Sequence, residues 1–597
     1  MSGAKPSTAL DVALERIDGV ADRVFAGWKV PGLAYGVVRG GELIHARGLG
    51  TLRVGEDAPP TSSSVFRIAS MTKSFTAATV LLLRDEGRLG LDDPIADHVP
   101  ELAAVRLPTA DSPPITIRHL LTMTAGFPTD DPWGDRQQGL DLGTFSELLR
   151  GGLSFAWTPG MRFEYSNLGY GILGRLITNV AGREYREVVR ARLLEPLGMT
   201  STGYLESEVE PARLARGYIW RDGEFLEEPI DGYGALASMG GIFTTVEDLA
   251  RWVSGFIDSE PPRDDPEGAH PLRRATRREM QRPMVPAGLR MTEASVEAMP
   301  EVESLAYGFG LFTVDDLRIG RIVGHGGGYP GFGSHMRWHP ASGLGVVAVA
   351  NARYAPASLL ARDQLAELVR AEVVPIRRTR PNAATREARE AVEGLLERWD
   401  DARAADLFAM NVDLDEPIAA RKAVIERIRE RHGALRPDDD ESTESVTSFH
   451  HAWWMKGERG GRVRVEILLS PELPPRVQTF AVTSVPQPPA ALQLAASRLA
   501  AALERADGRP AIDWPPDVAV GEDVDLDAVR RALGATAARF APIRLGPPVE
   551  GDGEVTATFR LHSDRGDLDL ALGLDPEAGC VSSISLVPVR RAPPDLD

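Results

Sequence analysis

Ser70 and Lys73 lie three residues apart in the stretch IASMTKSF, residues 68–75. Of the 67 lysines and arginines in the chain, only five are lysines, so arginine is the residue this chain normally uses for a positive charge. An arginine guanidinium stays charged in proteins, whereas a desolvated lysine amine can become neutral near neutral pH and accept a proton. The pair therefore predicts a serine nucleophile with an adjacent lysine base.

The residues that follow Ser70 are apolar and rich in helix formers until glycines and a proline end the pattern, in SFTAATVLLLRDEGRLGLDDPI. On a helix, side chains three residues apart share a face. Ser70 would lie in the first turn, where free N–H groups and the helix dipole help lower the amine pKa and stabilise an oxyanion. Taken alone, such a short motif is more typical of a surface helix that begins with a serine cap.

A second stretch, FEYSNLGY at residues 163–170, contains Tyr165 and Asn167. Tyr165 could receive the serine proton if a neighbouring ammonium lowered its pKa. Asn167 could direct its amide at Lys73 and at a substrate carbonyl. Taken alone, the sequence Tyr165-Ser166-Asn167 is more typical of an ordinary tyrosine followed by a helix-capping asparagine.

A third stretch, GHGGGYPG, holds His325, Gly326, Gly327 and Gly328. Consecutive glycines in a strand allow the backbone to approach a ligand closely. His325 could hydrogen-bond near the Ser70–Tyr165 pair or bind a substrate carboxylate. A lone strand histidine more often has a purely structural role.

The order S-x-x-K, Y-x-N, H-G-G resembles the serine β-lactamase/penicillin-binding-protein-like superfamily. The resemblance is strongest to the class C-like branch, which includes D-alanyl-D-alanine carboxypeptidases, D-aminopeptidases and related esterases. It extends over about residues 10–375 and includes the stretches PGLAYGVV, FRIASMTK, ITIRHLLTMTAG, EYSNLGYGILG and GGIFTTVEDLARW.

The resemblance implies a role for each of these residues. Ser70 would be acylated, and Lys73 and Tyr165 would share the base and acid roles, with their division left open. Asn167 would hold the substrate amide, and the backbone N–H groups of Ser70 and Gly328 would form the oxyanion hole. The acyl-enzyme would then pass its acyl group to water or to another acceptor.

One departure from the β-lactamase pattern concerns His325, which with Gly326 and Gly327 stands where class A enzymes have K-T-G. The histidine weakens a β-lactamase assignment and favours peptidases and esterases. The nearby loop TDDPWGDR contains three aspartates, Asp130, Asp131 and Asp135, which could meet a substrate ammonium. The plainer interpretation is a solvated loop with turn-forming aspartates.

The sequence predicts an α+β fold for residues 1–375. Strand patterns lie at both ends of this region and helical patterns in its middle, which predicts one antiparallel sheet built from both ends, flanked by helices, with an all-helical subdomain. The segment TDDPWGDRQQGLDLG is predicted to be an irregular loop, and residues 258–300 a loop with one helix.

Beyond a predicted linker at 376–387, the chain repeats itself. The segment GRVRVEILLSPELPPRVQTFAV (461–482) resembles GDLDLALGLDPEAGCVSSISLV (566–587), and helical stretches precede both. This predicts two small tandem α+β domains, residues 388–486 and 487–597. His450 and His451 are adjacent and would point to opposite faces of a strand, which argues against a shared metal site.

Composition limits the partners. A net charge of -19 argues against nucleic acid or an anionic membrane, and the chain has a single cysteine, Cys580. The N-terminal residues lack a signal-peptide pattern and no run is long enough to span a membrane, which predicts a cytoplasmic protein. We expect a small-molecule or short-peptide substrate, no cofactor and no metal; the oligomeric state is open.

The leading hypothesis is a serine hydrolase that acts through a Ser70 acyl-enzyme on a small peptide, amide or ester, with D-amino-acid peptides favoured. One alternative is an acyl transferase or cyclase that uses the same acyl-enzyme. The other is a non-catalytic, penicillin-binding-like sensor or scaffold, in which the C-terminal domains recruit a partner.

Overall fold

The computed structural model describes residues 9–291, 302–316, 319–371, 379–438, 443–506, 509–540, 542–563 and 567–589. The chain divides between residues 376 and 377 into two compact units. The first unit carries every residue that the sequence singled out for catalysis or substrate binding.

The first unit is built on one antiparallel sheet that joins both ends of the region. Strand Gly32–Arg39 pairs with strand Leu344–Ala350, in a register that runs from Leu33 opposite Ala350 to Arg39 opposite Leu344. Across the sheet, the strands follow the order Glu42–Gly50, Gly32–Arg39, Leu344–Ala350, Phe332–His339, Gly320–Tyr329, Phe312–Asp316, Val302–Tyr307, Val285–Met291. The predicted sheet is thereby confirmed.

Both faces of this sheet are covered, as strand Leu344–Ala350 shows, in which every residue is buried. Val347 and Val349 belong to the hydrophobic core that contains the helix after Ser70. Val346 and Ala348 point the other way, into a second core formed with the first and last helices of the unit. A strand buried on both faces has to be apolar at every position, which explains the uninterrupted run LGVVAVA.

The first unit also contains helices and four short strands. The helices are Ala9–Gly27, Thr72–Asp85, Ile95–His98, Ile117–Leu121, Asp131–Gly134, Leu142–Arg150, Asn167–Ala181, Tyr185–Val189, Ala237–Gly240, Val246–Asp258, Arg274–Met280 and Ala357–Arg370. Strand Phe66–Arg67 pairs with Phe243–Thr244, and Gly217–Arg221 pairs with Glu224–Glu228. The middle of the unit is thus mainly helical, with one hairpin that the sequence did not predict.

Two segments expected to be loops are partly ordered into elements. In TDDPWGDRQQGLDLG, residues Asp131–Gly134 form a short helix. Asp135 is buried, and its carboxylate accepts a hydrogen bond from the Tyr354 hydroxyl at 2.6 Å. In the 258–300 segment, the expected helix is Arg274–Met280, and strand Val285–Met291 follows it at the edge of the sheet. Residues 292–301 lie outside the described residues.

The second unit contains two four-stranded antiparallel sheets, each preceded by helices, so the prediction of two tandem α+β domains is confirmed. The first has helices Ala383–Glu397, Asp401–Leu407, Asn411–Asp415 and Ile418–His432 and strands Leu435–Pro437, His450–Gly457, Arg462–Leu469 and Val477–Val485. The second has helices Ala490–Glu504 and Leu526–Phe540 and strands Ile543–Gly551, Thr556–Ser563, Leu568–Asp575 and Cys580–Pro588.

The linker predicted at 376–387 is only partly described, because residues 376–378 lie outside the described residues. Its last residues are helical, since helix Ala383–Glu397 begins there with Asn382 as its cap; the Asn382 side chain accepts the Thr385 N–H at 2.9 Å. The predicted domain boundaries at 375 and 486 stay predictions.

Candidate active site

Ser70 lies in a short 3₁₀ turn, Ala69–Met71, that leads directly into helix Thr72–Asp85. The residue before it, Ala69, has a φ of 48°, a left-handed conformation that costs a residue with a side chain about 1–3 kcal/mol. Backbone hydrogen bonds hold the turn: the Ile68 N–H donates to the Ile242 carbonyl and the Met71 N–H to the Ile68 carbonyl. The position of Ser70 is therefore fixed by the backbone.

Lys73 lies one helical turn after Ser70 and is fully buried. Its ammonium has three acceptors: Ser70 Oγ at 2.9 Å, Asn167 Oδ1 at 2.7 Å and the Met239 carbonyl oxygen at 2.9 Å. Burial lowers the Lys73 pKa to about 8, although nearby aspartates, chiefly Asp131, oppose the shift. A lysine with this pKa loses its proton within one pH unit of neutrality, so it can serve as a base.

Tyr165 presents its ring to Lys73, with the ring centroid 4.9 Å from Nζ. A role for Tyr165 as acceptor of the serine proton would need a lowered pKa, and the structure gives the opposite shift. Burial raises this pKa well above its usual value, and the Asp131 carboxylate raises it further, whereas the hydrogen bond with Ser70 lowers it only partly. The phenol therefore keeps its proton, which makes Tyr165 a hydrogen-bond donor and a proton source beside Ser70.

Asn167 is buried and begins helix Asn167–Ala181, whose cap is Ser166. Its Oδ1 accepts from Lys73, and its Nδ2 donates to Asp131 Oδ1 at 2.8 Å. Asp130 accepts the backbone N–H groups of Asn167 at 2.6 Å and Leu168 at 2.8 Å, as a carboxylate at a helix N-terminus should. Two adjacent aspartates, Asp130 and Asp131, thus hold Asn167 in place.

His325 is buried in strand Gly320–Tyr329, and burial lowers its pKa to about 3. Its Nδ1 lies 2.6 Å from the Gly326 carbonyl oxygen, which can only accept, so Nδ1 carries the proton. Its Nε2, 3.3 Å from the Tyr307 hydroxyl, is then an acceptor. The histidine is therefore neutral, and both of its ring nitrogens are hydrogen-bonded.

The glycines that follow allow the strand to pass close to Ser70. A Cβ on Gly327 would lie 2.1 Å from the Ile68 carbonyl oxygen and 2.3 Å from Ser334 Oγ. A Cβ on Gly328 would lie 2.4 Å from the Tyr354 ring. The Ser334 hydroxyl donates to the same Ile68 carbonyl at 2.7 Å, which ties the sheet to the Ser70 turn.

These groups surround a cavity of about 270 Å³. Five of its lining residues were predicted from the sequence: Ser70, Tyr165, His325, Gly326 and Gly328. The other three are Asp131, Phe312 and Tyr354. The sequence indicates Asp131 as a candidate partner of a substrate ammonium, whereas it carries no signal for Phe312 or Tyr354. The Met239 carbonyl was also missed, because a backbone acceptor does not depend on residue type.

A serine at the start of a helix, a buried lysine hydrogen-bonded to it and a glycine-rich strand beside it are features of the serine hydrolase class. Comparison with known proteins then gives the family. Residues 20–371 match the family model described as Beta-lactamase, which is more than half of the chain, so the chain belongs to that family. The predicted superfamily is confirmed, and the prediction of a serine hydrolase is confirmed at the level of the family.

Two curated relatives are similar to part of the chain. The chain is 31% identical over 260 residues to the D-alanyl-D-alanine-carboxypeptidase/endopeptidase AmpH of Escherichia coli (strain K12), covering 43% of this chain and 65% of the relative. It is 26% identical over 340 residues to protein flp of Staphylococcus aureus (strain NCTC 8325 / PS 47), covering 56% of this chain and 63% of the relative. The chain thus spans slightly less than two thirds of either relative.

One solved structure matches nearly the whole chain. It is the octameric penicillin-binding protein homologue from Pyrococcus abyssi, with a TM-score of 0.51, 19% identity and coverage of 97% of this chain and 98% of that one. At 19% sequence identity, this match is evidence for the fold alone. Within the part of the chain that the structure describes, no helix has the length and apolarity needed to cross a membrane.

Proposed function

We propose that this protein is a serine hydrolase that forms an acyl-enzyme on Ser70 and hydrolyses a small peptide, amide or ester. The observation that carries the proposal is the 2.9 Å contact between Lys73 Nζ and Ser70 Oγ, made by a buried lysine with a pKa of about 8. D-amino-acid peptides are the favoured substrates, in keeping with the similarity to a D-alanyl-D-alanine carboxypeptidase. The cytoplasmic location stays a prediction, which cell fractionation can check.

The contacts support the following reaction. Neutral Lys73 takes the hydroxyl proton as Ser70 Oγ attacks the substrate carbonyl carbon. Tyr165, which is protonated before the reaction, gives its phenolic proton to the leaving amine or alcohol, and the phenolate regains a proton from the Lys73 ammonium. The bond from the carbonyl carbon to the leaving group breaks, and an ester to Ser70 remains. Lys73, neutral again, takes a proton from the water that attacks this ester and passes it to Ser70 Oγ, which releases the acid and restores the Ser70 hydroxyl.

The test is covalent labelling of Ser70 with a fluorophosphonate, read by intact mass. We expect one adduct on the wild-type protein, none on Ser70→Ala and much slower labelling of Lys73→Ala, by about 10²–10⁴-fold, the usual contribution of a general base. Ser207→Ala is the matched control, because Ser207 is an exposed serine of the same unit and should label at the wild-type rate.

Absence of an adduct on folded wild-type protein would contradict the proposal. So would an adduct that persists in Ser70→Ala, because the nucleophile would then be another residue.

A further inference from the structure

The active-site cavity has an acidic wall. The Asp131 side chain is exposed and lines the cavity, and its Oδ1 accepts from Asn167 Nδ2 at 2.8 Å. Asp135 lies behind the same wall, 4% exposed, and accepts a hydrogen bond from the hydroxyl of Tyr354, another cavity residue.

Among the described residues that line the cavity, there is no lysine or arginine to balance this charge. His325 is the basic residue of the lining, and it is neutral and hydrogen-bonded through both ring nitrogens. Lys73 is the nearby cation, but it is fully buried and surrounded by three acceptors. Tyr165 and Tyr354 keep their protons, since burial raises the pKa of each. The charge that a ligand meets in the cavity is therefore negative.

A short chain of contacts links Asp131 to the nucleophile. Asp131 Oδ1 is 2.8 Å from Asn167 Nδ2, Asn167 Oδ1 is 2.7 Å from Lys73 Nζ, and Lys73 Nζ is 2.9 Å from Ser70 Oγ. The same cavity of about 270 Å³ contains both the carboxylate and the serine. A group bound to Asp131 thus lies near the carbonyl that Ser70 attacks.

We propose that Asp131 determines specificity by binding a positively charged amine on the acyl part of the substrate, close to the scissile carbonyl. The substrates are then aminoacyl amides, peptides or esters with a free amino group. An anionic group in the same place would be repelled by the carboxylate and would find no cation in the lining. This inference rests on the proposed function and adds the substrate class to it.

The experiment compares three substrates that differ in the charge of the group at the amino terminus: D-alanine p-nitroanilide with a free amine, its N-acetyl derivative with a neutral amide, and its N-succinyl derivative, which adds a carboxylate. At pH 7 the first is mainly cationic, the second neutral and the third anionic. We expect kcat/KM for the cationic substrate to exceed that for the neutral one by about ten- to hundredfold, the range for a hydrogen bond between charged groups. The anionic substrate should be the poorest, and added salt should reduce the differences.

The decisive variant is Asp131→Asn, which keeps an oxygen to accept from Asn167 Nδ2 and removes the charge. The quantity compared is the ratio of kcat/KM for the cationic substrate to kcat/KM for the neutral one. A loss of activity that affects both substrates equally leaves this ratio unchanged. We expect this ratio to fall close to one in Asp131→Asn and to keep its wild-type value in Asp57→Asn, a control at an exposed aspartate that does not line the cavity.

The inference would be overturned by a wild-type ratio at or below one, or by a ratio that Asp131→Asn leaves unchanged. If Asp131→Asn does not fold, the wild-type order of the cationic, neutral and anionic substrates decides the question. Turnover of the neutral substrate without a charge preference would refute the role of Asp131 and leave the hydrolase intact. No turnover and no fluorophosphonate adduct would refute the proposed function itself.

Discussion

At the scale of single residues, burial shifts the two groups beside Ser70 in opposite directions. Removal from water disfavours the charged form of any group, so burial lowers the pKa of the Lys73 amine and raises the pKa of the Tyr165 phenol. The same environment thereby makes the lysine easier to deprotonate and keeps the phenol protonated, next to the same hydroxyl. This favours Lys73 as the base and Tyr165 as the proton donor, a division that the sequence left open.

The pH dependence of the reaction follows from the Lys73 pKa of about 8. Neutral lysine is the active form, so kcat/KM should rise about tenfold per pH unit below pH 8 and level off above it. The measurement is kcat/KM for N-acetyl-D-alanine p-nitroanilide between pH 5.5 and 9.5, since this substrate does not titrate in that range. His325, with a pKa of about 3, should contribute nothing there. A profile that is flat from pH 6 to 9 would contradict the role given to Lys73.

At the scale of elements, the site depends on how closely strand Gly320–Tyr329 approaches the turn that holds Ser70. The Ile68 carbonyl accepts the Ser334 hydroxyl at 2.7 Å, and Gly327 leaves no room for a side chain at the same point. Close packing of this kind transmits small displacements, because protein interiors have few voids to absorb them.

Gly327→Ala should therefore shift the strand away from Ser70, since the new Cβ would lie 2.1 Å from a backbone oxygen that cannot rotate away. We expect a loss of about 1–3 kcal/mol in the free energy of unfolding, as for other overpacked sites, and a slower rate of Ser70 labelling. Urea denaturation and labelling kinetics measure the two effects.

The matched control is Gly326→Ala in the same strand. There the nearest atom is the His335 ring nitrogen at 3.0 Å, and a side chain can move. The expectation for Gly327→Ala fails if both variants are equally stable and label equally fast.

At the scale of the whole molecule, each hydrophobic core belongs to one unit. The two large cores of the first unit are built from residues between 13 and 371. The two cores of the second unit are separate from each other, one within residues 384–482 and one within residues 492–586. A core made entirely within one segment is what allows that segment to fold by itself.

We therefore expect the fragment 1–376 to fold without the second unit. Limited proteolysis of the full chain should cut near 375–387 and leave this fragment. Expressed separately, it should give a single cooperative thermal transition and label at Ser70. If the fragment is unfolded instead, the first unit needs the second unit in order to fold, and the predicted boundary is wrong.

Some features of the fold followed from local patterns and others did not. Helix Thr72–Asp85 could be predicted because helical periodicity and the glycines and proline that follow it are local signals. Strand Val285–Met291 and the hairpin Gly217–Arg221 with Glu224–Glu228 were missed. A strand at an edge or in a short hairpin buries little apolar surface, so its sequence carries a weak signal.

The sequence by itself determined the residue types and spacings: the Ser70–Lys73 pair, the tyrosine and asparagine two positions apart, and the glycines after His325. Only the tertiary structure decided the charge on each group and what surrounds it. The pKa values of Lys73 and Tyr165 depend on burial by residues distant in the chain, and the place of Asp131 in the cavity wall depends on its contact with Asn167 of another helix. Solvent exclusion and long-range contacts arise when the whole chain folds, so no local pattern specifies them.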